Sequence, residues 1–292
     1  MKKGIIFIII SALMFGSYGL WSKLLGGSFD PFYQGWTRGL ILAVVLLPIL
    51  IFNKQLIPIK KEDWKWLAIF LFFTSLTQAP LFYAFNHMDI GSATLLFFVS
   101  YALTMYLSGV FFLNEKLTKV KIVALVFALV GMYVVFSFSL VVFSLLAALL
   151  AVVNGIASGG EVSSSKKLSS YSPLYLSWLS WVIIFISNLV ISVIIGETQH
   201  IPSFNLAWLF QVGYTITSVL GFWLIIKGLR EVEASVAGLI GLLEIVFSIL
   251  LGIIIFHEQL TLKIILGGIL IIIAAALPHL QNVITTKRKS IP

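Results

Sequence analysis

Apolar residues in this chain neither alternate nor form narrow stripes. They fall in blocks of about 20 residues, the length that crosses a bilayer core as an α-helix. The blocks run at 4–24, 32–52, 64–86, 91–113, 119–137, 140–164, 172–195, 205–227, 233–256 and 261–281. Barrel strands would alternate every second residue over about 10 positions. The pattern therefore predicts an all-α integral membrane protein of ten transmembrane helices. Turn-forming residues punctuate the joins: "GGSFDP" before the second block, "IPIKKED" before the third, "SYSP" before the seventh and "GETQHIPS" before the eighth. The first block follows Lys2 and Lys3 but is too long for a signal-peptide core, so it reads as a retained helix.

Composition agrees. Hydrophobic residues make up 60% of the 292 and charged ones 10%, too little polar surface for a soluble domain. The charges add an orientation. With the N-terminus in the cytoplasm, only Lys23, Arg38 and Lys263 of the 19 Lys and Arg fall on the outer half. That bias is the positive-inside pattern, and it predicts cytoplasmic termini and a multi-pass protein of the cell membrane. The net charge of +8 then follows from topology, and nucleic acid is not needed as a partner. With no cysteine there is no disulfide and no thiolate metal site, and the four scattered histidines lack ligand spacing. No metal and no cofactor is expected. The lipid bilayer is the expected surrounding partner. Lipid-facing and partner-facing apolar surfaces look alike in such a chain, so it predicts no oligomeric state.

The second half repeats the first at an offset of 143 residues. "LNEKLT" (113–118) and "FHEQLT" (256–261) pair Glu115 with Glu258, Leu117 with Leu260 and Thr118 with Thr261. The same offset relates Ser92 to Ser235, Leu96 to Leu239, Gly109 to Gly252, Gly16 to Gly159, Ser22 to Ser165 and Lys23 to Lys166. The chain thus divides into 1–139, 140–284 and a basic cytoplasmic tail, 285–292. Five helices per half is an odd number, so the halves insert in opposite orientations. Inverted repeats are a transporter architecture, with the substrate site near the midplane between them.

"FGSYGLWSKLL" (15–25), "WTRGLILAVVLLP" (36–48) and the two E-x-L-T turns resemble the drug/metabolite transporter superfamily, in its ten-helix EamA form. The resemblance covers nearly the whole chain and implies export or exchange of small metabolites. Where that family often has a proline after the glutamate of the ninth helix, this chain has Ile245, which implies a ninth helix without a kink.

Positions spaced four, three and four apart share one helix face. On the ninth helix that face carries Ala237, Gly241, Glu244 and Ser248, with no basic residue within ten positions of Glu244. The repeat-related face of the fourth helix carries Thr94, Phe98, Tyr101 and Met105. The sixth carries Asn154, Ser158, Glu161 and Ser165, and the first carries Ser11, Phe15, Tyr18 and Ser22. On the third helix Thr74 and Gln78 precede Pro80, whose missing N–H frees the Leu76 carbonyl. On the eighth, Tyr214, Thr215 and Ser218 sit near mid-depth. These faces are expected to line one central cavity, whose substrate-binding candidates are Glu244, Tyr101, Asn154, Ser11, Tyr18, Gln78, Thr74, Ser248, Tyr214 and Ser218. A carboxylate at mid-bilayer costs about 2.5–3.5 kcal/mol, so Glu244 should face protein, as a ligand for substrate, a carrier of a coupling proton or a hydrogen-bonded neutral acid. Arg38 lies about six residues inside the outer boundary, roughly 9 Å. It is expected to snorkel outward, or else to serve in an outer gate or hold a carboxylate. Glu161 is expected to reach the interface or Lys166. Lys23 reads as an outer-surface anchor, and Thr118 and Thr261 as helix N-caps.

These features predict a secondary active transporter working by alternating access, an exporter or exchanger of small metabolites. No G-x-x-x-x-G-K-[ST] occurs, so this chain does not drive itself with ATP. Glu244 among neutral and aromatic groups, without a midplane cation, favours a small-molecule substrate with an amine, such as an amino acid or an organic cation. An enzyme acting on lipid-linked substrates fits less well, because no H-E-x-x-H or His–Asp cluster appears. A channel would need a continuous polar path, and these helices are polar mainly at mid-depth.

Overall fold

A computed structural model of the protein describes residues 2–136 and 144–289. It contains thirteen α-helices: α1 (Lys2–Gly16), α2 (Tyr18–Leu25), α3 (Pro31–Phe52), α4 (Trp64–Ser75), α5 (Ala79–His87), α6 (Ile90–Phe112), α7 (Lys119–Phe136), α8 (Leu145–Ser165), α9 (Pro173–Ile195), α10 (Leu206–Leu229), α11 (Ala234–Gly241), α12 (Leu243–Phe256) and α13 (Leu262–Lys289). They make ten spans long and apolar enough to cross a membrane. Three of these spans are each built from two helices: α1 with α2, α4 with α5, and α11 with α12. The boundary expected between residues 139 and 140 lies outside the described residues.

Local chemistry sets the ends. Pro31 and Pro173 open α3 and α9, where a missing N–H costs nothing. Ser172, Asn205, Ser144 and Asp89 each accept an N–H from the first turn of the helix they precede. Thr118 Oγ1 accepts from Lys121 N–H (3.3 Å) and Thr261 Oγ1 from Ile264 N–H (3.4 Å), so both threonines cap as expected. Gly196, at φ 75°, ends α9 in the left-handed region that favours glycine.

Helices pair across the two halves. α7 packs along α13, α3 along α9, α6 along α8, and α1 along α10. Small residues allow the approach, as in membrane bundles generally. A Cβ added at Gly131 would stand 2.8 Å from the Gly267 carbonyl, and one at Gly39 would stand 2.6 Å from the Phe185 nitrogen. Large apolar side chains such as Val44, Ile51, Phe72, Phe111, Val193, Ile194 and Leu209 point outward from the bundle, as a lipid-facing surface requires.

The repeat is visible in the geometry. A Cβ at Gly16 would lie 2.9 Å from the Glu244 carbonyl, and one at Gly159 would lie 3.0 Å from the Tyr101 carbonyl. Both pairs are 143 residues apart, so α1 meets α12 as α8 meets α6.

Candidate functional site

The ninth span turns at Leu242. Leu242 N–H donates to the Gly238 carbonyl (3.3 Å) and Ile245 N–H to the Leu242 carbonyl (3.1 Å). A ninth helix without a kink was expected from Ile245, and the structure corrects this. Gly238 and Gly241 lie beside the break at close helix contacts, against Met105 and the Tyr101 hydroxyl. The break gives α12 its own N-terminus inside the span, with Glu244 in its first turn. Helix N-termini present unpaired N–H groups and a positive dipole end, which favour a carboxylate. This accounts for an acid in so apolar a segment. Among the described residues no hydrogen bond or ion pair to the Glu244 side chain occurs, and the residue is only half-buried.

Three tyrosines and an arginine gather near it. Tyr101 places its hydroxyl 3.3 Å from where a Cβ on Gly241 would stand, one turn before Glu244. Tyr18 opens α2 just past the break at Ser17. Its ring meets Tyr214 edge-on at 4.7 Å and Phe15 at 5.4 Å. Glu244 and Arg38 both lie close enough to the Tyr18 hydroxyl to act on it electrostatically, and Ser218 neighbours it. The Arg38 guanidinium stacks 3.7 Å above the Tyr214 ring. Arg38 is 2% exposed, and its Nε and Nη1 have no hydrogen-bond partner among the described residues. One expectation is corrected here. Arg38 does not snorkel outward, because the Tyr214 face holds it by cation–π attraction. The site therefore contains a buried cation.

The other candidates divide. Ser248 is exposed on α12 and faces Gly19, 3.4 Å from where its Cβ would be. Gln78 lies in the break between α4 and α5, its unpartnered Oε1 against Gly35 beside the Asn188 amide oxygen. Gly35 is one turn from Arg38. Ser11, fully buried, donates to the Gly221 carbonyl (2.7 Å) and ties α1 to α10. Asn154 Nδ2 donates to the Leu76 carbonyl (3.0 Å), the group released before Pro80. Thr74 and Ser180 hydroxyls donate to Glu161 Oε1 (2.7 and 2.6 Å) in a buried knot among α4, α8 and α9. Glu161 was expected to reach Lys166 or the interface. Instead it is 5% exposed between two hydroxyls, because Lys166 is taken by Glu115. Ser180 and Asn188 escaped the sequence reading, since the Ser and Asn residues of α9 stand outside the repeat-related faces. The structure thus brings Glu244, Tyr101, Tyr18, Tyr214, Ser218 and Arg38 together, and uses Ser11, Asn154 and Thr74 as interhelical ties.

The two ends of the bundle differ. At the lysine-rich end, Glu115 accepts from the N–H groups of Ala234 and Ser235 and from the Ser235 hydroxyl. Lys166 donates to Glu115 (3.3 Å) and to the Val232 carbonyl (2.8 Å), and Lys121 pairs with Glu233 at 2.7 Å. Burial alone would raise the Glu115 carboxyl, but the Ser235 and Ala234 donors and the Lys166 charge hold it below the ordinary carboxylate range. At the opposite end, Lys23 and Glu258 form an exposed pair at 2.9 Å. A groove of about 440 Å³ between α4, α6 and α8, lined by Trp66, Phe73, Leu107 and Phe112, is almost wholly apolar and excludes Glu244.

A family model described as "EamA-like transporter family" matches residues 2–137 and 145–278, one match per repeat. The chain belongs to the EamA-like transporter family. Two relatives agree in extent. An "Uncharacterized transporter" of Clostridium kluyveri is 25% identical, over 97% of this chain and 94% of its own. "Uncharacterized transporter YoaV" of Bacillus subtilis is 26% identical, over 90% of this chain and 92% of its own. A crystal structure superposes with a TM-score of 0.80 at 16% identity, covering 95% of this chain and 98% of that one, and it shares the fold. This EamA-like chain is a multi-pass membrane transporter.

Proposed function

We propose that this transporter moves small zwitterions, amino acids foremost, by alternating access, as a secondary active exporter or exchanger. The observation that carries the reading is Arg38: a buried guanidinium on Tyr214 with two donors unpartnered among the described residues, which faces the Tyr18 hydroxyl as Glu244 also does. A guanidinium suits a carboxylate, and a carboxylate at a helix N-terminus suits an amine. A substrate carrying both would offset both desolvated charges. The tyrosines supply apolar faces for its side chain. Amine binding at Glu244 competes with protonation there, which is the logic of proton-coupled antiport. The lysine distribution supports cytoplasmic termini in the cell membrane.

Counterflow in proteoliposomes tests the reading. A panel of labelled amino acids should move at least about tenfold faster than the matched amides or decarboxylated amines, a discrimination of about 1.4 kcal/mol. Arg38→Gln should remove that preference while amine flux persists. Equal transport of amines and amino acids by both proteins would replace this reading with an organic-cation transporter. Glu244→Gln should lose pH-gradient-driven flux at least about tenfold. Unchanged gradient-driven flux in that variant would remove the proton from the mechanism.

A further inference from the structure

The two E-x-L-T turns are built alike. Asn114 and His257 both sit at φ 54°, 143 residues apart. Glu115 N–H donates to the Gly109 carbonyl (2.8 Å) and Glu258 N–H to the Gly252 carbonyl (3.3 Å). Each carboxylate folds back over its glycine, where a Cβ would collide with it. Lys166 pairs with Glu115 and Lys23 with Glu258, again at the shared offset.

What differs is where the carboxylates end. Glu115 crosses to the other half of the chain and docks on the N-terminus of α11 through Ala234 and Ser235. Its side chain is 5% exposed. Glu258 is 52% exposed and bonds to Lys23. Its repeat-related dock would be Gly91 and Ser92, at the N-terminus of α6. There the Ser92 hydroxyl is buried, 2% exposed, and has no partner among the described residues. The Ser92 N–H is held by Asp89 (2.9 Å). The surroundings match this difference. Ser22 is exposed beside Lys23, whereas its counterpart Ser165 is 2% exposed beside Lys166.

We infer that Glu115 and Glu258 are two reciprocal gate latches, and that the second conformation docks Glu258 on Gly91 and Ser92 while Glu115 releases Ala234 and Ser235. This rests on the alternating-access reading. A docked carboxylate satisfies two helix N–H groups and a hydroxyl that otherwise lack intrahelical partners. With one latch closed in each conformation, a modest differential affinity for substrate can shift the population between them. Lys23 travels with Glu258 and offsets its approach to Asp89. The second half has Val232 at the position related to Asp89, so its helix N-terminus depends on Glu115 alone.

Thiol alkylation tests the latch, because the chain has no native cysteine. Ser22→Cys and Ser165→Cys are introduced singly and reacted in detergent, where both ends meet solvent. In the otherwise native chain, position 22 should react and position 165 should resist. Adding Glu115→Gln should reverse this, raising reaction at 165 and lowering it at 22 by about fivefold or more. Adding Glu258→Gln as well should restore the reactivity at 22. Ser235→Ala, which removes one donor, should shift both positions in the direction of Glu115→Gln, and it serves if that variant does not fold. No change at either position with Glu115→Gln or Ser235→Ala would overturn the latch, as would an identical response to Glu258→Gln alone. Labelling needs no substrate. Failed amino-acid flux with the reversal intact removes the proposed substrate and keeps the latch, whereas flux without the reversal keeps transport and removes the latch.

Discussion

At Asn154, one side-chain amide closes a gap that another helix opens. Pro80 leaves the Leu76 carbonyl without a helical donor, and Asn154 Nδ2 supplies one. Asn154→Ala should therefore cost about 1–3 kcal/mol, seen as a fall in thermal midpoint, while solute preference in counterflow stays as it is. Glu115 makes a different forecast. Lys166 and Ser235 face it, with Lys121, Glu233 and Tyr106 around the same end. Its carboxyl is held below the ordinary value of 4.5, so its stabilisation is full above that value and fades as pH falls through the depressed one. The alkylation rate at Ser165→Cys, taken relative to a fully exposed cysteine at the same pH so that thiol ionisation cancels, should stay flat across neutral pH and rise only in acid below 4.5. A rise at neutral pH would mean that another group governs this end. Residue pairing was the least legible part of the sequence. Glu161 and Lys166 look like partners five positions apart, yet Thr74, Ser180 and Glu115 win, all brought in by tertiary contact. Arg38 looked free to snorkel because nothing in its own segment reveals Tyr214, far along the chain.

The spans were legible as elements because apolar length alone defines them, and their observed ends fall close to the blocks read from the pattern. The breaks were not equally legible. Pro80 announced the one at 76–78, since a missing N–H is written in the sequence. Those at Ser17 and Leu242 have no proline and arise beside glycines at close helix contacts, which only packing reveals. Gly16 is the sharpest such contact. A methyl there would press on the Glu244 carbonyl and the Phe247 side chain, both at 2.9 Å. Gly16→Ala should cost about 1–3 kcal/mol by overpacking and part α1 from α12. A thermal midpoint equal to that of the native chain would show that the two helices yield more easily than this packing implies.

For the molecule as a whole, the lysine-rich end is knitted across both halves, and the opposite end holds an exposed ion pair. Orientation can be read directly in a chain without cysteine. An impermeant thiol reagent applied to intact cells should label Ser203→Cys and spare Lys61→Cys, and the converse would invert the proposed topology. Under the proposed alternating access, the 143-residue repeat also lets one half describe what the other would become. The broken spans have unbroken counterparts, so the breaks at Ser17, Gln78 and Leu242 map onto Gly160, Gly221 and Val99. Two of those three positions are already glycine, inside helices that are continuous here. Hydrogen exchange in the Glu115→Gln chain should find amide protection lost around Gly160 and Gly221 and gained around Ser17 and Gln78. On the proposed mechanism, the continuous helices of this structure hold, in folded form, the hinges of the conformation opposite to it.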